Sequence, residues 1–356
     1  MMNTSSISND SPMNLLTLTC EELTEEFRRR FGRGLFHAAA LYRAFYRDPH
    51  VDIGKLPEFA ASGHLARDIQ ADLSVRLPAI VRRETQDEVT KLVFRLADGI
   101  EIESVVIPTA NRITLCISSQ AGCRMGCRFC RTGQMGFQRN LRADEIVAQV
   151  YTVKILMGIG VRNVVFMGMG EPLDNFEALI RAIRVLEDQR GLNIAKRHMT
   201  VSTVGLADGI EKLAALNWPR LRLAVSLNAS NDDLRSRLMP INQRFPLSEL
   251  KTALRNHAIG RGNSLFMAYV LIRGQNDHPG YARQLSEYLN GLPVKLNLIP
   301  YNPGPHSPYE APSAKEVERF RRALVTEGIF VRLRSAKGTN IRAACGQLGG
   351  KSLFSA

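Results

Sequence analysis

The segment CISSQAGCRMGCRFC, residues 116–130, carries the densest reactive chemistry in the chain. Cys123, Cys127 and Cys130 are spaced C-x3-C-x2-C, and three thiolates on one loop can wrap three corners of a cubic iron–sulfur cluster. Ordinary four-iron clusters take four cysteine ligands, so three leave one iron open for a substrate. Zinc is the competing metal, but a structural zinc site wants four ligands. Neither a His-x3-5-His pair nor a second C-x2-C is present to complete one, and the spacing favours a cluster. Two further cysteines stand apart. Cys116 reads on its own as a core thiol on a strand. Cys345 lies in AACGQLGG, whose small residues let a loop approach a substrate closely. Cys20 reads as structural.

Other polar candidates fall near predicted strand ends. Gly168-Met169-Gly170, followed by Glu171, reads as a tight turn after a buried strand. Ser202, the Ser226–Leu227–Asn228 segment and Asn302 read as turn or capping positions. Glu103, in IESVVIP, reads equally well as a solvent-facing strand residue. Arg124, Arg128, Arg131, Arg139 and Arg142 surround the cysteine loop with positive charge, which suits either RNA phosphates or an anionic cluster.

These groups need a scaffold, and the sequence supplies a rhythm. Thr19 to Glu22 is a capping box opening a helix through Arg30, broken at Gly32 and Gly34. A second helical pattern follows, and the chain to about Glu88 reads as mainly helical, with a break at Pro78. Its cluster of Arg28, Arg29, Arg30 and Arg33 is either a solvated helix face or an RNA contact. Lys91–Leu96 and Ile100–Val106 alternate around Asp98-Gly99 as a hairpin. Candidate strands then run at 113–117, 163–166, 199–202, 221–226, 265–272, 295–299 and 330–335. Helical patterns lie near 143–157, 175–188, 207–216, 247–257, 280–290 and 315–327. Such alternation argues an α/β fold with a parallel sheet covered by helices, whose functional loops lie at the carboxyl ends of the strands. The expected organisation is a disordered tail at 1–17, an accessory unit at 18–90 that binds RNA, a hairpin connection at 91–108 and a catalytic core at 109–350.

Length and composition agree. The chain has 356 residues, 45% hydrophobic and 23% charged, enough for about two globular domains. Lys plus Arg exceed Asp plus Glu by 47 − 34, or +13, which favours a polyanionic partner such as nucleic acid. Apolar runs such as 163–169 are too short to span a bilayer, and no membrane association is expected. The first residues lack the pattern of a signal peptide, so the six cysteines are expected in a reducing cytoplasm. Secreted, membrane-spanning and collagen-like classes are excluded on this reading.

The cysteine spacing, with Phe129 before the last cysteine, resembles the signature of the radical S-adenosylmethionine superfamily. Several motifs in order narrow the resemblance to the rRNA adenine methyltransferases of the RlmN/Cfr family. They are LCISSQAGC (115–123), MGMGEPLDN (167–175), VSTVG (201–205), AVSLNAS (224–230), LMPIN (238–242), NLIPYNP (297–303) and AACGQL (343–348). The match runs from Lys91 to Gly350 and implies a partial (β/α)6 barrel with a small, mainly helical N-terminal accessory domain.

The resemblance implies that Cys123, Cys127 and Cys130 hold a [4Fe–4S] cluster whose open iron chelates S-adenosylmethionine, the source of a 5′-deoxyadenosyl radical. Gly170 and Glu171 match the motif that meets the methionine ammonium, and Ser202, Ser226, Leu227, Asn228 and Asn302 match other cofactor contacts. Cys345 matches the methyl-carrying cysteine, Cys116 the cysteine that resolves a protein–RNA adduct through a transient disulfide, and Glu103 the proton acceptor. Two S-adenosylmethionine molecules are spent per turnover, with flavodoxin or ferredoxin as electron donor. The expected activity is methylation of adenine C2 in 23S rRNA, with tRNA a further substrate. A C8 product and a non-catalytic iron–sulfur RNA-binding factor are the alternatives. Three positions depart from the family pattern: Asn228 stands where histidine is common, and Asn340 and Arg342 where acidic residues are frequent.

Overall fold

A computed structural model of the chain describes residues 11–258, 265–304, 307–334 and 337–349. Residues 1–10 of the expected tail and Gly350 lie outside the described residues.

Strand-forming sequence dominates the core. Runs such as VRNVVF, RLAVS and LFMAYVL are rich in β-branched and aromatic side chains, which suit strands buried on both faces of a parallel sheet. The chain first builds an antiparallel meander of β1 (Ala79–Gln86), β2 (Val89–Arg95), β3 (Glu101–Thr109) and β4 (Arg112–Cys116). A small hairpin, β5 (Gln120–Gly122) with β6 (Phe137–Asn140), brackets the cysteine loop. Then come β7 (Val161–Phe166), β8 (Met199–Thr203), β9 (Arg222–Ser226), β10 (Leu265–Leu271), β11 (Val294–Pro300) and β12 (Val331–Leu333). One ten-stranded sheet results, in the order β1-β2-β3-β4-β7-β8-β9-β10-β11-β12. From β4 to β12 every neighbouring pair is parallel.

Helices Ala143–Tyr151, Phe176–Glu187, Ala207–Ala215, Leu247–Ala258, Gly280–Leu289 and Ala314–Thr326 follow β4, β7, β8, β9, β10 and β11. This is the expected partial (β/α)6 barrel, and β1 and β12 are its two edges. The helix Phe176–Glu187 shows why the units pack: Leu179, Ile180, Ile183 and Leu186 form one buried stripe.

The N-terminal part is mainly helical, as expected. Thr19 and Glu22 form the capping box of helix Cys20–Phe31, and Gly32 closes it at φ 62°. Helices Leu35–Phe45 and Gly63–Ala71 follow. Two expectations are corrected here. Residues 11–17 are not a disordered tail: Met13, Leu15 and Leu16 are buried, and Met13 bridges Leu73. These apolar side chains anchor a polar stretch whose composition suggests disorder. Residues 79–86 are not helical either. Asp87 and Glu88, both at positive φ, turn the chain so that β1 pairs with β2 from Gln86↔Val89 onward. Strand formation there depends on a neighbour rather than on local periodicity, so residues 79–90 belong to the sheet.

Aromatic packing joins the helical part to the core. Phe45 stacks on Tyr151 with centroids 4.8 Å apart, and the Tyr151 hydroxyl donates to the Phe45 carbonyl at 3.0 Å. The Cys20 amide donates to Asp188 Oδ2 at 2.7 Å. Tyr151→Ala is expected to cost about 3–5 kcal/mol in denaturant unfolding, the range for losing a buried ring. A cost below about 1 kcal/mol would show that this stack does not carry the contact.

Candidate active site

Because the strands from β4 to β12 are parallel, the loops that follow them share one end of the sheet. Residues after β4 and after β7 are laced together there. Gly168 donates to the Ile117 carbonyl at 3.0 Å, and the Ser119 and Gln120 amides donate to the Met169 carbonyl at 2.9 and 3.2 Å. The Met169 amide donates to Ser118 Oγ and the Glu171 amide to Gln120 Oε1, both at 2.8 Å. The approach leaves no room for side chains. A Cβ on Gly168 would lie 2.6 Å from the Ile117 carbonyl, and one on Gly170, at φ +100°, would lie 2.5 Å from Gln120 Cβ.

Glu171, beside that lacing, is buried. Its Oε2 accepts the Val204 amide at 2.8 Å and its Oε1 the Leu173 amide at 3.2 Å. Burial raises its pKa to about 7 against the pull of these hydrogen bonds. The carboxyl thus sits poised between its two protonation states near neutral pH.

The cysteine loop begins where the lacing ends. Cys123 and Cys127 are buried, and Cys130 is half-buried. Burial pushes Cys123 up to about 12, with Cys130 among the charges adding to the shift. It raises Cys127 further, where Cys130 and Cys123 add to the effect. The three thiols therefore feel one another. Among the described residues no three His, Cys, Asp or Glu side chains converge tightly enough to hold one metal ion. Thiols at separate corners of a cubane need wider spacing than ligands of a single ion, so the lack of a tight single-ion site does not count against a cluster. Buried beside the loop, the Ser119 hydroxyl has no hydrogen-bond partner.

Cys116 ends β4, buried. Its thiol is pushed far up by burial and then by Cys345, which the fold brings within electrostatic reach. The Cys345 residue is exposed, yet the mass of protein around it partly desolvates its thiol. That desolvation raises the thiol, Cys130 adds to the shift, and Arg334 opposes it. The loop bearing Cys345 is fastened to the cysteine loop: Arg131 N donates to the Gly346 carbonyl at 2.8 Å, and Thr132 Oγ1 to the Leu348 carbonyl at 2.7 Å. Glu103 holds it from the other side, accepting the Gly349 amide on Oε2 at 3.0 Å. Far from facing solvent, Glu103 is buried, with buried Lys91 3.9 Å away. Burial raises its pKa, and Lys91 and the Gly349 N–H oppose the rise.

The remaining expected positions fall at the same end of the sheet. Ser202 and Ser226 lie at the ends of β8 and β9, and Asn302 follows β11, buried. The Leu227 amide donates to the Ala268 carbonyl at 2.9 Å. Asn228 takes φ +59°, its Oδ1 accepts the Val270 amide at 2.9 Å, and its Nδ2 contacts Met239 Sδ at 3.3 Å. Each polar atom of its side chain thus has a contact within the protein. Of the surrounding arginines, Arg124 pairs with Asp174, Arg139 with Asp98 and Glu145, and Arg142 with Asp144. On the first helix, Arg28 pairs with Glu25, and Arg30 with Glu26 and Asp72. A cleft of about 730 Å³ borders the cysteine loop, lined among others by Arg124, Met125, Asp208, Pro240 and Arg244. None of the expected catalytic, cofactor-binding or cluster-ligating residues lines it.

Sequence reasoning missed the polar groups that hold these loops. Gln149, fully buried, accepts from Ser104 Oγ at 2.7 Å and the Ser118 amide at 2.9 Å. Gln120 Nε2 donates to Asn140 and Asp174. Arg235, also fully buried, joins three loops. A polar residue inside an otherwise apolar helical face, as Gln149 is, was the available signal.

Residues 117–281 match the model of the radical SAM superfamily. With this match and three cysteines on one loop at the carboxyl end of a parallel sheet, the chain is a radical SAM enzyme. It is 40% identical over 342 residues to the probable dual-specificity RNA methyltransferase RlmN 1 of Protochlamydia amoebophila, covering 96% of this chain and 95% of the relative. The dual-specificity RNA methyltransferase RlmN of Syntrophotalea carbinolica is 40% identical over 352 residues, covering 97% and 92%. A solved radical SAM methyltransferase from Sphaerobacter thermophilus superposes with a TM-score of 0.87 at 40% identity, over 95% of this chain and 99% of that one. The chain belongs to the RlmN family of dual-specificity RNA methyltransferases. No helix among the described residues is long and apolar enough to cross a membrane.

Glu171 yields a pH prediction. Its folded pKa, about 7, lies above the ordinary 4.5, so the folded state binds more protons between those values. Its contribution to stability therefore falls as pH rises through that interval and levels off above it. Glu171→Gln is expected to flatten this part of the profile, read as urea midpoints between about pH 5 and 8. Parallel profiles for parent and variant would show that the carboxyl ionises as readily as an exposed one.

Proposed function

We propose that this radical SAM RNA methyltransferase methylates C2 of an adenine in 23S rRNA and in tRNA, using Cys345 as methyl carrier and Cys116 as resolving thiol. The observation that carries the reading is the meeting of Cys116, Cys345 and buried Glu103 around one loop fastened to the cluster cysteines. The relatives' dual specificity favours more than one RNA substrate.

Cys123, Cys127 and Cys130 would hold the [4Fe–4S] cluster, with Gly170, Glu171, Ser202, Ser226, Leu227, Asn228 and Asn302 around S-adenosylmethionine. When bound, the pair supplies a methyl group and a radical able to abstract hydrogen, two S-adenosylmethionine molecules serving one turnover. The Cys345 sulfur accepts the methyl as a thiolate, which Arg334 favours. A sulfur carrier is needed because an adenine amidine carbon is electrophilic and does not attack a sulfonium methyl. Once the methylene carbon on Cys345 is bonded to C2, the adduct must give up its unpaired electron, with the oxidised cluster as the acceptor, and Glu103 takes the C2 proton. Cys116, as a thiolate, then attacks the Cys345 sulfur; the disulfide forms as the sulfur–methylene bond breaks, its electron pair goes to the carbon left on the base, and a proton completes the methyl group. Flavodoxin or ferredoxin is the proposed electron donor.

Nucleoside mass spectrometry after anaerobic reaction with unmodified rRNA tests the product. 2-Methyladenosine is expected, and 8-methyladenosine would overturn the C2 assignment. Cys116→Ala is expected to accumulate a covalent protein–RNA adduct on denaturing gels, and Cys345→Ala to form none. Glu103→Gln is expected to lower turnover by about 100-fold or more, the usual contribution of a positioned base. Absence of an adduct with Cys116→Ala, under conditions where the parent turns over, would overturn the resolving role.

A further inference from the structure

Arg235 is the largest of the fully buried side chains among the described residues. It extends from helix Asp232–Leu238 into the carboxyl end of the sheet. All its hydrogen-bond acceptors are neutral. Nε donates to the Leu227 carbonyl at 3.3 Å, and Nη1 to Asn242 Oδ1 at 2.8 Å and the Phe245 carbonyl at 3.4 Å. Nη2 donates to the Val204 carbonyl at 2.5 Å. Among the described residues no carboxylate lies within ion-pair distance. Asp232, on the same helix, is occupied instead, its Oδ1 accepting Asn242 Nδ2 at 2.9 Å and the Leu247 amide at 2.8 Å.

A buried guanidinium stays charged, and a buried charge without a counter-ion is costly. Its helix abuts the cysteine loop. The Arg128 amide, next to Cys127, donates to the Leu238 carbonyl at 3.0 Å, and Gly126 faces Pro240. Burial lowers the Arg235 pKa, while Tyr288, Cys127 and Asp232 oppose that shift. The chain therefore places a permanent cation against the cluster loop and gives it no carboxylate.

We propose that Arg235 is the internal counter-charge of the iron–sulfur cluster, a positioning residue whose buried positive charge stabilises the reduced, more negative cluster and so sets its reduction potential. The proposal rests on the reading that Cys123, Cys127 and Cys130 hold that cluster. Reduction adds one electron, supplied by a low-potential donor, and no bond is made or broken at Arg235. Its neutral acceptors serve a second purpose: they fix the guanidinium while leaving its charge uncancelled.

The test uses the full chain, reconstituted anaerobically, with iron content and visible absorption measured first. A parent protein that binds no cluster would refute the cluster reading itself. With the cluster bound, dithionite titration followed by electron paramagnetic resonance gives the midpoint potential in the absence of S-adenosylmethionine and RNA. Arg235→Met is expected to disfavour reduction at least tenfold, a fall of about 59 mV for a one-electron couple. Arg235→Lys, which keeps the charge but loses the fork, is expected to stay near the parent potential. Should Arg235→Met not fold, Arg235→Gln retains amide donors and carries the same expectation. Neutral variants with the parent potential, or a lysine variant displaced as far as the neutral ones, would overturn the proposal.

Discussion

The hydrogen-bond lacing between residues 117–120 and 168–171 is the constraint on which the rest of the active-site end depends. It extends the parallel pairing of β4 with β7 beyond the last strand residues, so the cysteine loop leaves the sheet from a fixed point. Two glycines make the approach possible, since Gly168 and Gly170 have backbone or side-chain atoms where a Cβ would stand. Side chains then lock it. Ser118 Oγ donates to the Glu103 carbonyl at 2.6 Å and accepts the Met169 amide. Gln149 satisfies both the amide and the carbonyl of Ser118. A buried polar network with its members paired is rigid and specific in a way that apolar packing alone is not. It ties Glu103, the cysteine loop and Glu171 into one unit.

Electrostatics at this end follow from the same burial. Glu103, Glu171 and the five cysteines from Cys116 to Cys345 all have their neutral forms favoured. Burial thus works against ionisation of each of these groups, and metal binding to the thiols must release protons. Against these stand two buried cations with different tasks. Lys91 reaches Glu84 at 2.9 Å and stands near Glu103, so it is shared between carboxylates. Arg235 has only neutral hydrogen-bond acceptors, so its charge is not cancelled by direct pairing with a carboxylate.

Local signals in the sequence carried far, and where they stopped is physically plain. The Thr19–Glu22 capping box, the Asp98-Gly99 hairpin and the alternating strands and helices are short-range patterns, and the structure realises each. Three cysteines on one loop likewise announce their chemistry through spacing. What was not legible depends on contacts between distant segments. β1 looks like a polar stretch until β2 pairs with it, and Met13 looks like part of a tail until Leu73 receives it. Glu103 alternates within its strand like any charged residue, and only the Gly349 segment, arriving from the far end of the chain, shows that its face is covered. Arg235 sits in a short helix full of charges, LRSRL, where nothing local separates it from exposed Arg237. Asn228 carries a second task that its motif does not announce: its left-handed backbone and its bond to Val270 tie β9 to β10.

The two cysteines proposed for thiol exchange are held in opposite ways, and the difference suits the work assigned to them. Cys116 is the last residue of a central strand, paired to β3 on one side and to β7 on the other, so its position is fixed. Cys345 lies on a segment without regular structure and is held mainly by hydrogen bonds to its flanking residues. A carrier that must meet a methyl donor, a nucleobase and then a resolving thiol needs freedom that a strand cannot give. Its anchors are nonetheless few and specific. Gly346 and Leu348 are tied to residues directly after Cys130, and Gly349 is tied to Glu103. Gln347, which donates to the Pro303 carbonyl at 3.2 Å, ties the segment to the residues after β11 as well. The placement of Cys345 relative to Cys123, Cys127 and Cys130 is thus set by one loop gripping another, not by the global shape of the barrel.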